Sequence, residues 1–144
     1  MRTLTLLTAL LAASSASASW LDCAHTAPRS AALPVAGATR IVVVGGAGTL
    51  KVAGHNGASE VRAIGKACSS SREDLPKIVL RATRNGGEIR IEAEVPDTSG
   101  WGDRRLDFEV SLPSNVPVKV VDGSGELTIE NTAALDVDDG SGAF

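Results

Sequence analysis

Two copies of a short Asp-Gly-Ser-Gly phrase carry the side chains of this sequence that could do chemistry. The copies begin 17 residues apart and comprise Asp122, Gly123, Ser124 and Gly125, then Asp139, Gly140, Ser141 and Gly142. Repeated Asp carboxylates beside turn carbonyls are oxygen ligands of the kind that Ca²⁺ accepts. A serine between glycines can serve as a nucleophile when a base lies beside it.

Neither calcium binding nor a serine nucleophile is accompanied in the sequence by the residues that it usually requires. Calcium-binding β-roll repeats run Gly-Gly-x-Gly-x-Asp in nonapeptides, whereas here Asp precedes the glycines and the period is 17 residues. The two histidines, His25 and His55, lie in an N-terminal segment and in a turn. Gly46-x-Gly48 is followed by a strand-like segment, although a nucleotide-binding loop needs a helix there. We therefore predict no catalytic, cofactor or metal residues, and interpret the phrase as a β-turn that Asp caps through an Asx-turn. Calcium stays an alternative.

Cys23 and Cys68 are the only cysteines of the chain. An exported protein usually joins such a pair in a disulfide, and two isolated thiols are not a metal-ligand cluster. A closed loop of about 46 residues would contribute roughly 4 kcal/mol in the chain-entropy model. We predict a Cys23–Cys68 disulfide.

The elements that must position these residues are nearly all β-strands. Residues 88–95 and 105–112 alternate apolar and polar side chains with a period of two, and Asn85-Gly86-Gly87 predicts a hairpin between residues 77–84 and 88–95. A weaker third copy of the phrase aligns residues 43–52 with residues 120–129 without a gap. We predict an all-β fold in which antiparallel hairpins lead into a β-solenoid with coils of about 17 residues; a β-sandwich is the alternative.

The N-terminus indicates export. Arg2, an apolar stretch over residues 4–13 and Ala16-Ser17-Ala18 form the three parts of a secretory signal peptide, which we assign to residues 1–18. Residues 19–38 are predicted to be an irregular lead segment, and residues 39–144 a single β-repeat domain. Because Phe144 aligns with Leu127, at the start of a strand, we expect the domain to be truncated at its C-terminus.

Composition limits the partners. Of the 144 residues, 14 are Lys or Arg and 17 are Asp or Glu, so that removing Arg2 with the leader leaves 13 basic against 17 acidic residues. With no basic patch and few aromatic side chains, nucleic acid is excluded as a partner. No later segment is apolar enough to span a membrane, and the sequence identifies neither a particular surface or envelope partner nor an oligomeric state.

The chain resembles the bacterial putative adhesin family of short β-strand repeats, a domain of formerly unknown function. The resemblance rests on the exported N-terminus, on residues 48–54, on residues 110–113 and on the repeats from Val120 onward. It covers residues 38–144 and implies no catalytic or ligand residues. It implies a non-enzymatic envelope or surface protein, in the periplasm, in the outer envelope or secreted, for adhesion or scaffolding. The alternative is a periplasmic module that binds or senses a small ligand or glycan, with Trp101 in its groove.

Overall fold

Ten strands and one 3₁₀ turn are found among the residues that the structure describes. The computed structural model describes residues 23–96 and 102–140. The strands are β1 (His25–Pro34), β2 (Arg40–Val44), β3 (Leu50–His55), β4 (Glu60–Ser69), β5 (Val79–Asn85), β6 (Glu88–Glu94), β7 (Arg104–Pro113), β8 (Val118–Asp122), β9 (Leu127–Glu130) and β10 (Leu135–Asp139). A 3₁₀ helix at Leu75–Lys77 precedes β5. The all-β prediction is confirmed.

The strands form two mixed sheets of five strands each. Sheet A has the order β1-β4-β7-β3-β9, and sheet B has the order β10-β8-β2-β6-β5. Consecutive strands lie in the same sheet only at β3–β4 and at β5–β6, and between all the other described strands the chain crosses from one sheet to the other. The two mixed sheets fit the β-sandwich alternative, and they do not by themselves indicate the predicted β-solenoid.

The 17-residue repeat of the sequence corresponds to the parallel pairing of β8 with β10. In sheet B, Val118 lies beside Leu135 and Val120 beside Val137, so β8 and β10 pair at an offset of 17 residues. The weaker third copy also marks neighbours, because Val43 pairs with Val120 in sheet B and Leu50 with Leu127 in sheet A. The gapless alignment of residues 43–52 with residues 120–129 is therefore the register in which these strands pair.

Alternating side chains from both sheets form the hydrophobic core. Ile89 and Ile91 of β6 are fully buried, and so are Val110 and Leu112 of β7, as their period-two pattern predicts. Burying apolar side chains of this size contributes about 1.5–3 kcal/mol each. The β5–β6 hairpin is confirmed, with Gly86 at φ +60° in its turn.

The prediction of an irregular lead segment is wrong for residues 25–34, which form β1. This strand lies at the edge of sheet A and pairs along its whole length with β4, from His25 opposite Ser69 to Pro34 opposite Glu60. Proline cannot donate a backbone hydrogen bond, but an edge strand has one unpaired side on which this loss is harmless. Pro28 and Pro34 therefore do not prevent strand formation. Ala31 and Leu33 pack against the core.

Candidate functional site

The repeated phrase builds a stack of chain corners where strands cross from sheet B to sheet A. We call this the corner stack; it comprises residues 45–48, residues 122–125, Asp139 and Gly140. Ser124 N donates to the Gly46 carbonyl at 3.1 Å, and Gly48 N donates to the Ser124 carbonyl at 3.2 Å. Gly140 N donates to the Asp122 carbonyl at 2.9 Å. The copies of the phrase are thus consecutive layers bonded through their backbones.

Two glycines let these layers approach each other. Gly125 has φ +114°, and a Cβ placed there would overlap the backbone carbonyl of Gly48. Gly48 has φ +126°, and its Cβ would lie 2.5 Å from the Leu106 carbonyl oxygen on β7. Both the backbone angle and the close approach require glycine. Among its described residues, the phrase has a positive φ at Gly125.

Asp122 turns into the core at the end of β8, where only 3% of the residue is exposed. Its Oδ1 accepts a hydrogen bond from Gly123 N at 3.0 Å, so the carboxylate does cap its own turn. The space it occupies lies against Gly45, whose Cβ, if present, would overlap Asp122 Oδ1. Gly45 is the residue that aligns with Asp122 in the third copy. The layer of residues 45–48 therefore has no side chain at the position where the layer of residues 122–125 buries the Asp122 carboxylate.

Asp139 is the neighbour of Asp122 in the next layer, because the two residues pair across β8 and β10. Neither Asp122 Oδ2 nor Asp139 Oδ1 has a hydrogen-bond partner within the part of the chain that the structure describes. Burial raises the pKa of Asp122 above its ordinary value, the Gly123 hydrogen bond opposes this, and the charge of Asp139 raises the pKa further. The corner stack thus favours the neutral form of Asp122 more than water does.

Serine and metal chemistry gain no support from this geometry. Ser124 is exposed in the corner stack, whereas His25 begins β1 and His55 ends β3. Over residues 23–96 and 102–140, no group of three or more His, Cys, Asp or Glu side chains is arranged to hold a metal ion. What the corner stack does is bond successive layers through their backbones and bury the Asp122 carboxyl group between them.

We expect Asp122→Asn to raise stability at pH 7 by about 1 kcal/mol, the scale of one unsatisfied buried polar group. A raised folded-state pKa means that the contribution of Asp122 to stability is greatest below the unfolded value near 3.9 and is lost as pH rises through the folded value. Asparagine keeps the Oδ1 acceptor for Gly123 and does not ionise. Urea unfolding between pH 3.5 and 7 measures this, and the difference between the two proteins should vanish at the acid end.

Asp138→Asn is the matched control, since Asp138 lies on β10 with an exposed side chain and should show no such pH-dependent gain. Calcium between the carboxylates predicts the opposite result. In that case Asp122→Asn would lower the melting temperature in the presence of Ca²⁺, and a chelator would lower that of the wild type. Either result would contradict the claim that burial raises the pKa of Asp122.

The predicted cysteine pair is brought together, with the Cα atoms of Cys23 and Cys68 5.5 Å apart and the two joined as a disulfide. Val61, Ala63 and Ala67 of β4 face the core, so Cys68 lies on the outer face of sheet A, where it pairs with Thr26 and Arg105. The bond therefore fastens the start of edge strand β1 to its neighbour.

A buried ion pair is the feature that sequence analysis missed. Arg104 at the start of β7 donates from Nε to Asp74 Oδ2 at 2.7 Å, and its Nη2 lies 2.6 Å from the same oxygen. The hydrogen bond from Arg104 holds the pKa of Asp74 below its usual range, although desolvation opposes it. Lys77 adds a second contact at 3.3 Å. The local sequence gives no signal that residues 74 and 104 would meet.

Several predicted positions lie outside the described residues. They are the signal peptide of residues 1–18, Trp101, Ser141 and Gly142. The second copy of the phrase is therefore placed only at Asp139 and Gly140. Among the residues that the structure does describe, no helix is long and apolar enough to cross a membrane.

Fold and site together define an all-β protein of two mixed sheets with stacked turns at one corner. The chain is similar to the crystal structure of a putative cell adhesion protein from Clostridium sporogenes, at a TM-score of 0.56 and 19% sequence identity. The match covers 82% of this chain and 59% of that one. At this identity the likeness shows a shared fold. No protein-family model and no curated protein matches the chain.

Proposed function

We propose that this chain is an exported, non-enzymatic protein of the bacterial cell envelope or surface, whose stacked β-strands present an extended face for adhesion or scaffolding. The observation that carries the proposal is a polar outer face on strands β7, β3 and β9 of sheet A. One row across these three strands runs through Glu109, Lys51 and Thr128. Such a broad polar surface suits contact with another surface better than enclosure of a small molecule.

Ion pairs line this face. Lys51 Nζ lies 3.9 Å from Glu109 Oε1 on the neighbouring strand, and Arg105 Nε lies 3.2 Å from Asp107 Oδ2. These exposed or half-exposed pairs contribute little stability, and they place charges of both signs at the surface. The similarity to a putative cell adhesion protein supports the same function.

Export is supported by the predicted signal peptide and by the Cys23–Cys68 pair, since disulfides persist in oxidising compartments outside the cytosol. The 17-residue register of β8 and β10 supports the finer proposal that the C-terminal part is a β-solenoid with coils of that length. On this proposal, each coil contributes one strand to each sheet.

A second candidate, a periplasmic module that binds a ligand or glycan, is favoured by one groove. A cavity of about 670 Å³ lies open on the outer side of β1 and β4, between Pro28, Ala32, Arg62 and Ile64. Ile64 is 57% exposed, which is unusual for a large apolar side chain on a strand. An apolar platform beside an arginine is a surface on which a sugar ring could rest.

Export is tested by producing the full chain with its leader and fractionating the cells. We expect the mature protein outside the cytosol, starting within a few residues of Ala18. Leu7→Arg interrupts the apolar stretch and should leave the chain uncleaved in the cytosol. An uncleaved wild-type chain in the cytosol would contradict the proposal.

Adhesion is tested with beads coated with the mature domain, applied to bacterial cells and to a glycan array. We expect adhesion to cells that Lys51→Glu weakens and that Ile64→Ser, in the groove, leaves unchanged. Glycan binding that Ile64→Ser abolishes, with no effect of Lys51→Glu, would instead establish the second candidate. Both substitutions are on the outer face, so circular dichroism should show the same fold.

A further inference from the structure

Side chains hold strand β1 to the domain only weakly. Its residues alternate between half-buried and exposed, and none of them is buried. Ala31 and Leu33 pack against the core from this strand, whereas the neighbouring strand β4 buries Val61, Ala63 and Ala67. Because buried apolar area supplies most of the stability of a strand, β1 can separate from the domain at a smaller cost than β4.

The Cys23–Cys68 bond fastens the start of β1 covalently, at the end opposite to the one from which the chain continues to β2. The polar attachments of β1 are its backbone pairing with β4 and the Arg29 side chain. Arg29 donates from Nε to the Ile78 carbonyl at 2.7 Å and from Nη2 to the Leu75 carbonyl at 3.0 Å. Each such hydrogen bond contributes little net stability, since water would bond to the same groups. The disulfide therefore decides how firmly β1 stays in place.

The disulfide borders a cavity on the outer face of sheet A. This cavity has a volume of about 240 Å³, and both cysteines line it. Cys23 is half-buried, whereas Cys68 is only 2% exposed. A thiolate breaks a disulfide by attacking one sulfur while the other leaves. The burial of the two residues makes Cys23 the sulfur under attack and Cys68 the leaving group.

Positive charge surrounds the same bond. Lys66 and Arg105 line the cavity together with Asp107, so the lining carries two positive charges against one negative charge. Arg105 lies beside Cys68 in the register of β4 with β7, and it is also ion-paired with Asp107. Nearby cations attract an incoming thiolate and stabilise the thiolate that leaves. The cavity thus favours reduction of this disulfide.

Strand β1 also forms one side of the groove of about 670 Å³ on the outer face of sheet A. Pro28 and Ala32 of β1 line the groove from that side, and Arg62 and Ile64 of β4 line it from the other. If β1 separated from β4, the groove would lose this side, and the backbone edge of β4 would be uncovered. The attachment of β1 therefore determines whether the groove exists.

We propose that the Cys23–Cys68 bond is a redox latch, which a dithiol protein of the cell envelope opens to release β1 and dismantle the groove. The proposal rests on the proposed export, because the bond persists in an oxidising compartment. It does not depend on adhesion. The domain then has a closed, oxidised form and an open, reduced form in which the other strands stay folded.

The opening step is a two-electron thiol–disulfide exchange. One thiolate of the dithiol attacks the sulfur of Cys23, a mixed disulfide forms, and the Cys23–Cys68 bond breaks with its electron pair on Cys68. The second thiolate of the dithiol attacks its partner sulfur in the mixed disulfide and releases Cys23 as a thiolate. The dithiol becomes a disulfide, and the two protons that it gives up are available to the two cysteines.

Limited trypsin digestion of the purified mature domain tests the latch. The domain is digested as isolated, and again after reduction with dithiothreitol and capping of the thiols with iodoacetamide. Arg29 reports on β1, because in the closed form its side chain is held by the carbonyls of Ile78, Leu75 and Pro28. We expect reduction to speed cleavage after Arg29 by more than about tenfold, since cleavage follows the population of the open form. Arg90, on the central strand β6, should stay uncut.

The charges in the cavity are tested by the rate of reduction with dithiothreitol. Lys66→Glu reverses one of them and should slow the reduction by about threefold or more, on the scale of an exposed charge pair. Lys119→Glu makes the same change of charge on β8 of sheet B, and as the matched control it should leave the rate unchanged. High salt should bring the rates of the wild type and Lys66→Glu together.

The double variant Cys23→Ser with Cys68→Ser should be cleaved after Arg29 without any reductant, at the rate of the reduced wild type. A reduced domain in which Arg29 stays protected would overturn the proposal, and so would a folded domain whose disulfide resists dithiothreitol. Cleavage at Arg90 as fast as at Arg29 would also overturn it, because the whole domain would then have unfolded. All of this uses purified protein, so cell fractionation still decides separately whether the chain is exported.

Discussion

Replacing both Cys23 and Cys68 by serine is expected to lower the free energy of unfolding by about 4 kcal/mol. The two cysteines are separated by 45 residues, so their bond removes much conformational freedom from the unfolded chain. In the folded protein it holds the start of β1 against β4, where Thr26 pairs with Cys68. Since native domains are stable by only about 5–15 kcal/mol, the loss is a large share of the total. Urea unfolding with and without reductant measures it.

The single variant Cys68→Ser should lose as much as the double variant, because either change removes the same bond. Hydrogen exchange separates this local effect from general unfolding, since β1 should lose protection first and β10 should keep its own. Peptide mapping without reductant should show Cys23 linked to Cys68. Two free thiols in the exported protein, or equal stability with and without reductant, would contradict this expectation.

Local patterns predicted most of the strands because a half-buried strand alternates apolar and polar side chains. Ile89 and Ile91 face the core for this reason, and Asn85-Gly86-Gly87 marked the hairpin. The strand β1 was missed because its less exposed side carries His25 and Arg29 and has Leu33 as its one large apolar side chain, and because the strand contains two prolines. Only the position of β1 at a sheet edge makes those prolines acceptable.

Beyond the β5–β6 hairpin, the order of strands within the sheets was predictable only where the sequence repeats itself. The 17-residue repeat predicted stacked coils and so the pairing of β8 with β10, and the weaker copy aligns β2 with its neighbour β8. The pairing of β4 with β7 has no such signature, because it joins distant segments through backbone groups that every residue carries. Arg104 and Asp74 meet for the same non-local reason.

The corner stack was predicted to be a turn, but the burial of Asp122 within it was not predicted. The sequence indicated that Asp122 would cap the turn, and it does so through Gly123 N. The alignment also placed Gly45 opposite Asp122, which was the available sign that one layer leaves room for the carboxylate of the next. A solvent-exposed turn and a buried one have the same local sequence, and only the neighbouring layers distinguish them.

Gly125→Ala is expected to lower the free energy of unfolding by about 3 kcal/mol, since it adds backbone strain to a collision within the corner stack. The φ of +114° is one that residues with a side chain rarely adopt, and the new Cβ would overlap the Gly48 carbonyl. That carbonyl belongs to the backbone, which cannot move without disturbing the bond between Gly48 N and Ser124. Urea unfolding at pH 7 measures the loss.

Gly57→Ala separates the cost of backbone strain from the cost of the collision with the Gly48 carbonyl. Gly57 also has a positive φ, of +72°, but its Cβ would meet nothing within 4 Å. This control should therefore lose only the left-handed backbone cost of about 1–2 kcal/mol. If the layers of the corner stack are packed as closely as their backbone bonds indicate, Gly125→Ala must lose clearly more than Gly57→Ala. Equal losses would mean that the corner stack opens at little cost, and that the Asp-Gly-Ser-Gly phrase is repeated for its turn conformation alone.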